Sequence, residues 1–149
     1  MFGTSKRGVG AYATVGLETG VAAASPHKLI VMLYDGAMVA LLSAINAMKA
    51  SDIAAKGASI SKAITIIDNG LRASLDKSAG GEIAHNLDAL YDYMSRRLLH
   101  ANLKNDQGAV EEVHGLLSEL REAWVTIGDK AAPAPAAMPM QQQPTLMSA

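Results

Sequence analysis

Between Ser25 and Met48 the chain reads SPHKLIVMLYDGAMVALLSAINAM, a helix start signal running straight into a long stretch with almost no charge. Ser25 supplies an N-cap side chain, and Pro26 stands at the first helical position, where a missing N–H costs nothing. Ile30, Leu33, Ala37, Leu41, Ile45 and Met48 then recur every three or four residues as one apolar stripe. Leu29, Met32, Val39, Ala40, Leu42 and Ala44 widen it until only Lys28, Asp35, Ser43, Asn46 and Lys49 read as solvent-facing. A helix this apolar is either the central, mostly buried helix of a bundle or one that keeps part of its surface for a partner. At ~20 residues the run is long enough for a bilayer, but Asp35 near its middle and mildly apolar Ala and Gly neighbours argue against stable membrane insertion.

With 149 residues, half of them hydrophobic, the chain can bury one core, so a single domain is expected. It has no cysteine, which excludes disulfides, thiolate metal sites and a cysteine nucleophile, and which fits a reducing compartment. A net charge of −1 with the two signs interspersed leaves no electrostatic footprint for nucleic acid. The first residues carry a basic pair but no apolar core behind it, so they do not read as a secretory signal.

Residues 1–24 are glycine-rich and without periodicity, the composition of a flexible arm in which Tyr12, Val15, Leu17 and Val21 are spaced to dock on an apolar surface. After the first helix, Ala50-Ser51-Asp52 supplies a break and a new cap. Ile53, Ile60 and Ile67, alternating with Gly57, Ile64 and Leu71, then predict a second helix with a coiled-coil-like seam, in which Gly57 and Ala63 permit close approach. That helix is expected to end by Leu75, with Asp76 to Gly81 as a turn and a third helix starting after Gly81. On the third helix Ile83, Leu87, Leu90, Met94, Arg97 or Leu98, and Ala101 mark the inward stripe, and Ala84, Tyr91 and Leu98 a second. Arg96, Arg97, His100 and Lys104 crowd its end, where cations complement the helix dipole. Asn105-Asp106 closes the hairpin, and Val110, Val113, Leu117, Leu120, Trp124 and Ile127 follow a seven-residue repeat. From residue 129 the chain is rich in Pro, Gln and Met, and a disordered C-terminal tail over 129–149 is expected. The sequence therefore predicts an all-α fold, an antiparallel up-down-up-down four-helix bundle over residues 25–128, between a flexible N-terminal arm and that tail.

Catalytic chemistry is hard to find. Glu82-x-x-His85 and Glu111-x-x-His114 have the spacing used in di-metal helical bundles. In an antiparallel hairpin, however, residue 111 lies opposite about residue 98, ~24 Å along the axis from residue 82, and the first two helices offer no glutamate. No metal or cofactor is expected. The segment His100-Ala-Asn-Leu103-Lys104-Asn105 loosely matches the His-x-Leu-Lys-Gly pattern of phosphorelay bundles, with one residue too many and Asn105 where a small residue belongs. With no nucleophile, oxyanion loop or phosphate-binding glycine pattern, the chain does not read as an enzyme.

Three linked segments resemble one family. They are Ser25-Pro26-x-Lys28-Leu29-Ile30-x-Met32-Leu33-Tyr34-Asp35-Gly36-Ala37, then Asn86-Leu87-x-x-Leu90-Tyr91-Asp92-Tyr93-Met94-x-Arg96-Arg97-Leu98-Leu99-x-Ala101-Asn102, and Glu112-Val113-x-x-Leu116-Leu117-x-x-Leu120-Arg121-Glu122-x-Trp124. Together with Tyr12 they are similar, in order and spacing, to the flagellar export chaperone family FliS. The resemblance implies a cytoplasmic, non-enzymatic chaperone that binds the C-terminal region of flagellin, prevents premature polymerisation and supports delivery to the flagellar type III export machinery. It also implies that the arm around Tyr12 covers part of the binding surface in the free protein. The expected contacts are Tyr34 and Met38 on the first helix and Tyr91, Met94 and Leu98 on the third, each of which fits bundle core as readily as client contact. Spare stripe also offers a surface for a weak homodimer. The competing readings are a phosphorelay module and an adaptor for another amphipathic helical client.

Overall fold

The computed structural model describes residues 25–130. The arm, with Tyr12, and the segment 131–149 lie outside the described residues. Four helical elements follow one another: α1 (Pro26–Lys49), α2 (Ile53–Thr65) with a π-helical continuation (Ile66–Arg72), α3 (Lys77–Lys104) and α4 (Gln107–Lys130). Short connections make neighbours antiparallel, and the packing runs α1 on α2, α2 on α3, α3 on α4 and α4 back on α1. α1 and α3 therefore stand on a diagonal of the bundle.

The helix starts follow from their caps. Ser25 Oγ accepts from the Lys28 amide at 3.1 Å, Asp52 Oδ1 from that of Ala55 at 3.1 Å, and Asp106 Oδ1 from that of Ala109 at 3.2 Å, each satisfying a first-turn N–H that has no helical partner. α3 ends on Asn105, which takes the left-handed conformation at φ 54°.

α3 begins one turn earlier than its sequence indicates. Asp76 caps it by accepting from the Ala79 amide at 3.0 Å and from Ser78 Oγ at 3.0 Å. Those bonds hold the Asp76 carboxyl below its ordinary range, the amide contributing most. Residues 77–80 thus wind as helix, and the break falls on Gly81 alone, at φ 58° and ψ −134°, a region open only to glycine.

α2 ends before Leu75, as expected, but its last stretch winds differently. Beyond Thr65 the winding loosens to π-helix, and the turn comes at Ala73-Ser74. The close approach assigned to Gly57 belongs to Gly70 instead: nothing lies within 4 Å of a Cβ built on Gly57, whereas one on Gly70 would stand 3.0 Å from Leu33 Cδ2. Leu41, Ile60, Ile66, Ile67, Met94, Leu98, Val110, Val113 and Leu117 form the fully buried centre. Ile53, expected in the α2 seam, is 65% exposed, because a first-turn position precedes the level at which α3 closes over α2. The α4 repeat likewise leaves the core as it proceeds, from buried Leu117 through half-buried Leu120 and Trp124 to exposed Ile127.

Candidate functional site

Four of the six expected contact residues line the interior. Tyr34 and Tyr91 meet across the α1–α3 diagonal with their hydroxyls 2.6 Å apart, both side chains buried. Burial pushes the Tyr34 phenol up to about 12, against a smaller opposing effect of the Tyr91 hydrogen bond, and burial raises Tyr91 well above its ordinary value. Met94 and Leu98 lie one and two turns further along α3 and are fully buried. Met38 is half-buried against the core. Tyr12 is outside the described residues.

The apolar surface that remains open is elsewhere, and a buried lysine organises it. Lys56, on a residue only 5% exposed, reaches from α2 to the end of α3 and donates to the Asn102 carbonyl at 3.1 Å and to Asn105 Oδ1 at 3.3 Å. The last carbonyls of a helix lack intrahelical donors and carry its negative pole, so this ammonium caps α3 from a neighbouring helix. Ile53 stands one turn before Lys56, and Leu99 and Leu103 bracket Asn102. All three are exposed, Leu103 by 83%. The α2–α3 seam is thus apolar and open at this end.

At its other end the seam is polar and tied. Arg72 on the π-helical stretch binds Asp88 at 2.7 Å and Asp92 at 3.3 Å, Lys77 joins Asp88 at 3.4 Å, and Ser95 donates to Asp68 at 2.8 Å. The Arg72 hydrogen bond holds the Asp88 carboxyl below the usual carboxylate range. Arg96 pairs with Asp92 at 2.8 Å, Arg97 with Glu112 at 2.9 Å, and His100 Nε2 lies 3.3 Å from Asp106, so both arginines at the α3 terminus are matched by carboxylates. Glu112 also accepts from Tyr93, the main reason its carboxyl is lowered and the Tyr93 phenol raised.

α1 and α4 are joined by polar contacts at two levels. Arg121 donates to Asp35, the residue whose charge argued against a membrane span. Near the helix ends, His27 stacks on Trp124 with ring centroids 5.2 Å apart and 9° between planes. His27 Nε2 donates to the Trp124 carbonyl at 2.6 Å, and Trp124 Nε1 donates to the His27 carbonyl at 3.1 Å. The carbonyl only accepts, so Nε2 carries a proton. Gly128 packs against the imidazole so closely that no Cβ would fit. Helical spacing alone does not reveal this clasp. Its one signal is an aromatic near the end of the last helix of an antiparallel bundle, level with a histidine at the start of the first.

A second open stripe runs along the outside of α1, where Met32, Val39 and Leu42 are exposed, Val39 by 62%. α1 is apolar enough and long enough to cross a membrane by composition, with 44% of its most apolar window buried in the bundle. Among the described residues, no three His, Asp or Glu side chains converge as a metal site requires.

A bundle whose helices are cross-tied by Arg72–Asp88, Arg97–Glu112 and Arg121–Asp35, and whose open features include apolar stripes, is a scaffold for protein contact. The profile of flagellar protein FliS matches residues 8–131, and the chain belongs to the FliS family. It is similar to the flagellar secretion chaperone FliS of Salmonella typhimurium, 58% identical over 125 residues that cover 84% of this chain and 93% of that protein. The Escherichia coli protein of the same name is 50% identical over 118 residues, covering 79% and 87%. That of Bacillus subtilis is 36% identical over 107 residues, covering 72% and 78%.

Proposed function

We propose that this protein is a cytoplasmic chaperone for flagellin, which binds the C-terminal region of its client, holds it back from premature polymerisation and hands it to the flagellar type III export apparatus. The observation that supports this reading is the open apolar end of the α2–α3 seam, formed by Ile53, Leu99 and Leu103 around the Lys56 cap. A client segment that is amphipathic and not yet packed buries its apolar face by lying in such a groove, the helix-in-groove mode. Met38 is half-open to a client directly, while Tyr34, Tyr91, Met94 and Leu98 act as the rigid floor beneath it. The arm around Tyr12 competes for the same surface in the free protein.

The test is a calorimetric titration of the full chain with a flagellin C-terminal peptide. Saturable binding is expected, with a loss of tenfold or more in Leu99→Glu and Leu103→Glu while thermal unfolding stays within a few degrees of the parent. No binding, or equal binding by both variants, overturns the reading. Equal capture of an unrelated amphipathic helix turns it into a general helical adaptor.

A further inference from the structure

α3 borders a second seam, on the side turned away from α2. Asp88, Asp92 and Ser95 face α2 through their bonds to Arg72 and Asp68, whereas Tyr93 and Arg97 face α4 through Glu112. Residues on one helix face recur three, four and seven positions apart, so Ile83 and Leu90 continue the Tyr93 side of α3, and Leu116, Leu120 and Ile127 the Glu112 side of α4. Arg121, Trp124 and Gly128 lie on the α1 side of α4 instead. The Tyr93–Glu112–Arg97 contact closes the seam at the hairpin end. Away from it Leu90, Leu116 and Leu120 are half-buried against the core, and exposure rises to 47% at Ile83 and 40% at Ile127.

The charge along this seam has one sign. Every cation near it is already held: Lys77 by Asp88 on the α2 side, Arg97 by Glu112, and Arg121 by Asp35 on the α1 side. His85 turns outward onto the Gly81 carbonyl. Glu82 and Glu119 stand exposed at the two edges, eleven residues before Tyr93 and seven after Glu112, and Glu122 follows on the outside of α4. Among the described residues none of the three forms an ion pair. An apolar seam edged by carboxylates complements an apolar helix with basic flanks. A second copy of this chain would bring the same acidic edges, and nucleic acid would be repelled. From Ile83 to Tyr93 the seam runs ~15 Å, the length of about three helical turns.

We propose that the α3–α4 seam binds a short amphipathic helix with Lys or Arg flanking its apolar face, carried by a partner other than the client of the α2–α3 seam. Ile83 and Ile127 bury against its apolar residues, and Glu82 and Glu119 receive its basic flanks from either edge. The two seams open on different sides of α3, so filling one leaves the other accessible. The consequence is a bundle that holds an apolar client on one side of α3 while docking to a basic helix on the other.

The test uses the full chain and a synthetic peptide of about fourteen residues, with leucines spaced three and four apart and lysines elsewhere, beside a twin carrying glutamate for each lysine. Calorimetric titration is expected to show saturable binding of the lysine peptide, at least tenfold tighter than that of its twin. Glu82→Lys with Glu119→Lys, both at exposed positions, reverses the order. Ile83→Ser with Ile127→Ser weakens the lysine peptide tenfold or more, whereas Leu103→Glu leaves it unchanged, all at unaltered helicity. No binding, equal binding of the two peptides, or an order that survives the charge reversal overturns the proposal. A dimer of the free chain that Ile83→Ser dissolves assigns the seam to a second copy and overturns it equally. With the chain saturated by a flagellin C-terminal peptide, the lysine peptide keeps its affinity; mutual displacement gives the seam to the client and overturns the proposal as well. The earlier titrations contain no flagellin, so failure of the client reading leaves their outcome readable.

Discussion

Replacing Lys56 by methionine keeps an unbranched stem of similar length and removes only the ammonium. In the native structure that group donates to the Asn102 carbonyl and to Asn105 Oδ1 from a residue only 5% exposed. Hydrogen bonds from a charged donor contribute ~1.5–3 kcal/mol, and a buried acceptor left empty costs ~1–3 kcal/mol. Opposing this, an ammonium out of water is itself expensive, and an apolar replacement can be neutral or stabilising. The geometry decides the sign. Asn102 O is a part-buried helix-terminal carbonyl whose next-turn donor, the Asp106 amide, bonds Ala101 O instead, while Asn105 is exposed and recovers water. We expect a net loss of about 2 kcal/mol, one strong bond with the second largely replaced by solvent. For a domain of this size that lowers the unfolding temperature by roughly 8–10 °C. Calorimetry on the full chain measures it, with Asn105→Gly as control, since glycine keeps the left-handed backbone and loses only the weaker acceptor. A Lys56→Met protein that melts at or above the parent temperature would show that burying the charge costs more than its bonds return, and the cap would then not be a stabilising element.

Trp124→Ala should cost about 2–3 kcal/mol in urea unfolding, below the ~3–5 kcal/mol of a fully buried tryptophan, because the ring is only half-buried and part of its contribution is the His27 stack. Trp124→Phe keeps most of the stack and loses the bond to the His27 carbonyl, for about 1 kcal/mol. Gly57→Ala, with open space around its Cβ in mid-helix, should stabilise by about 0.5–1 kcal/mol, whereas Gly81→Ala at φ 58° should destabilise by about 1–3 kcal/mol; opposite signs in one melting series check both. Alkaline stability should depend on the tyrosine pair. Both phenols are raised in the folded state, so their contribution is fully present below pH ~10 and is lost as pH rises toward about 12, where the unfolded chain ionises first. Tyr34→Phe with Tyr91→Phe should flatten that fall in an unfolding curve followed against pH.

The α1 stripe was legible because helical spacing and an N-cap with proline agree over the whole segment, and all but half-buried Ile30 of its six marker residues are buried. The α4 repeat was legible in its first half for the same reason. What escaped was everything set by a neighbouring element. A seven-residue repeat says which residues share a face, not where the partner helix stops, so Ile53 and Ile127 were placed in seams that had already opened. The π-helical winding at Ile66–Arg72 has no local signature in the stretch IIDNGLR, and only packing shows Gly70 against Leu33.

The candidate site was harder, and the reason is a property of bundles. Tyr34, Tyr91, Met94 and Leu98 attracted attention because they are large and adaptable, yet large apolar residues at the middle of facing helices are the first to be enclosed. The residues left open to a partner are those that the core cannot use. Leu99 follows Leu98 directly, and two adjacent residues on a helix point ~100° apart, so one of them must leave the core. Leu103 lies one turn beyond Leu99 on the same side, and Ile53 stands in the first turn of α2, where α3 ends beside it. The informative pattern is therefore apolar residues in excess of what one stripe needs, placed at helix ends. By that criterion α1 carries the same signal in Val39 and Leu42, which share the helix with a complete inward stripe of their own.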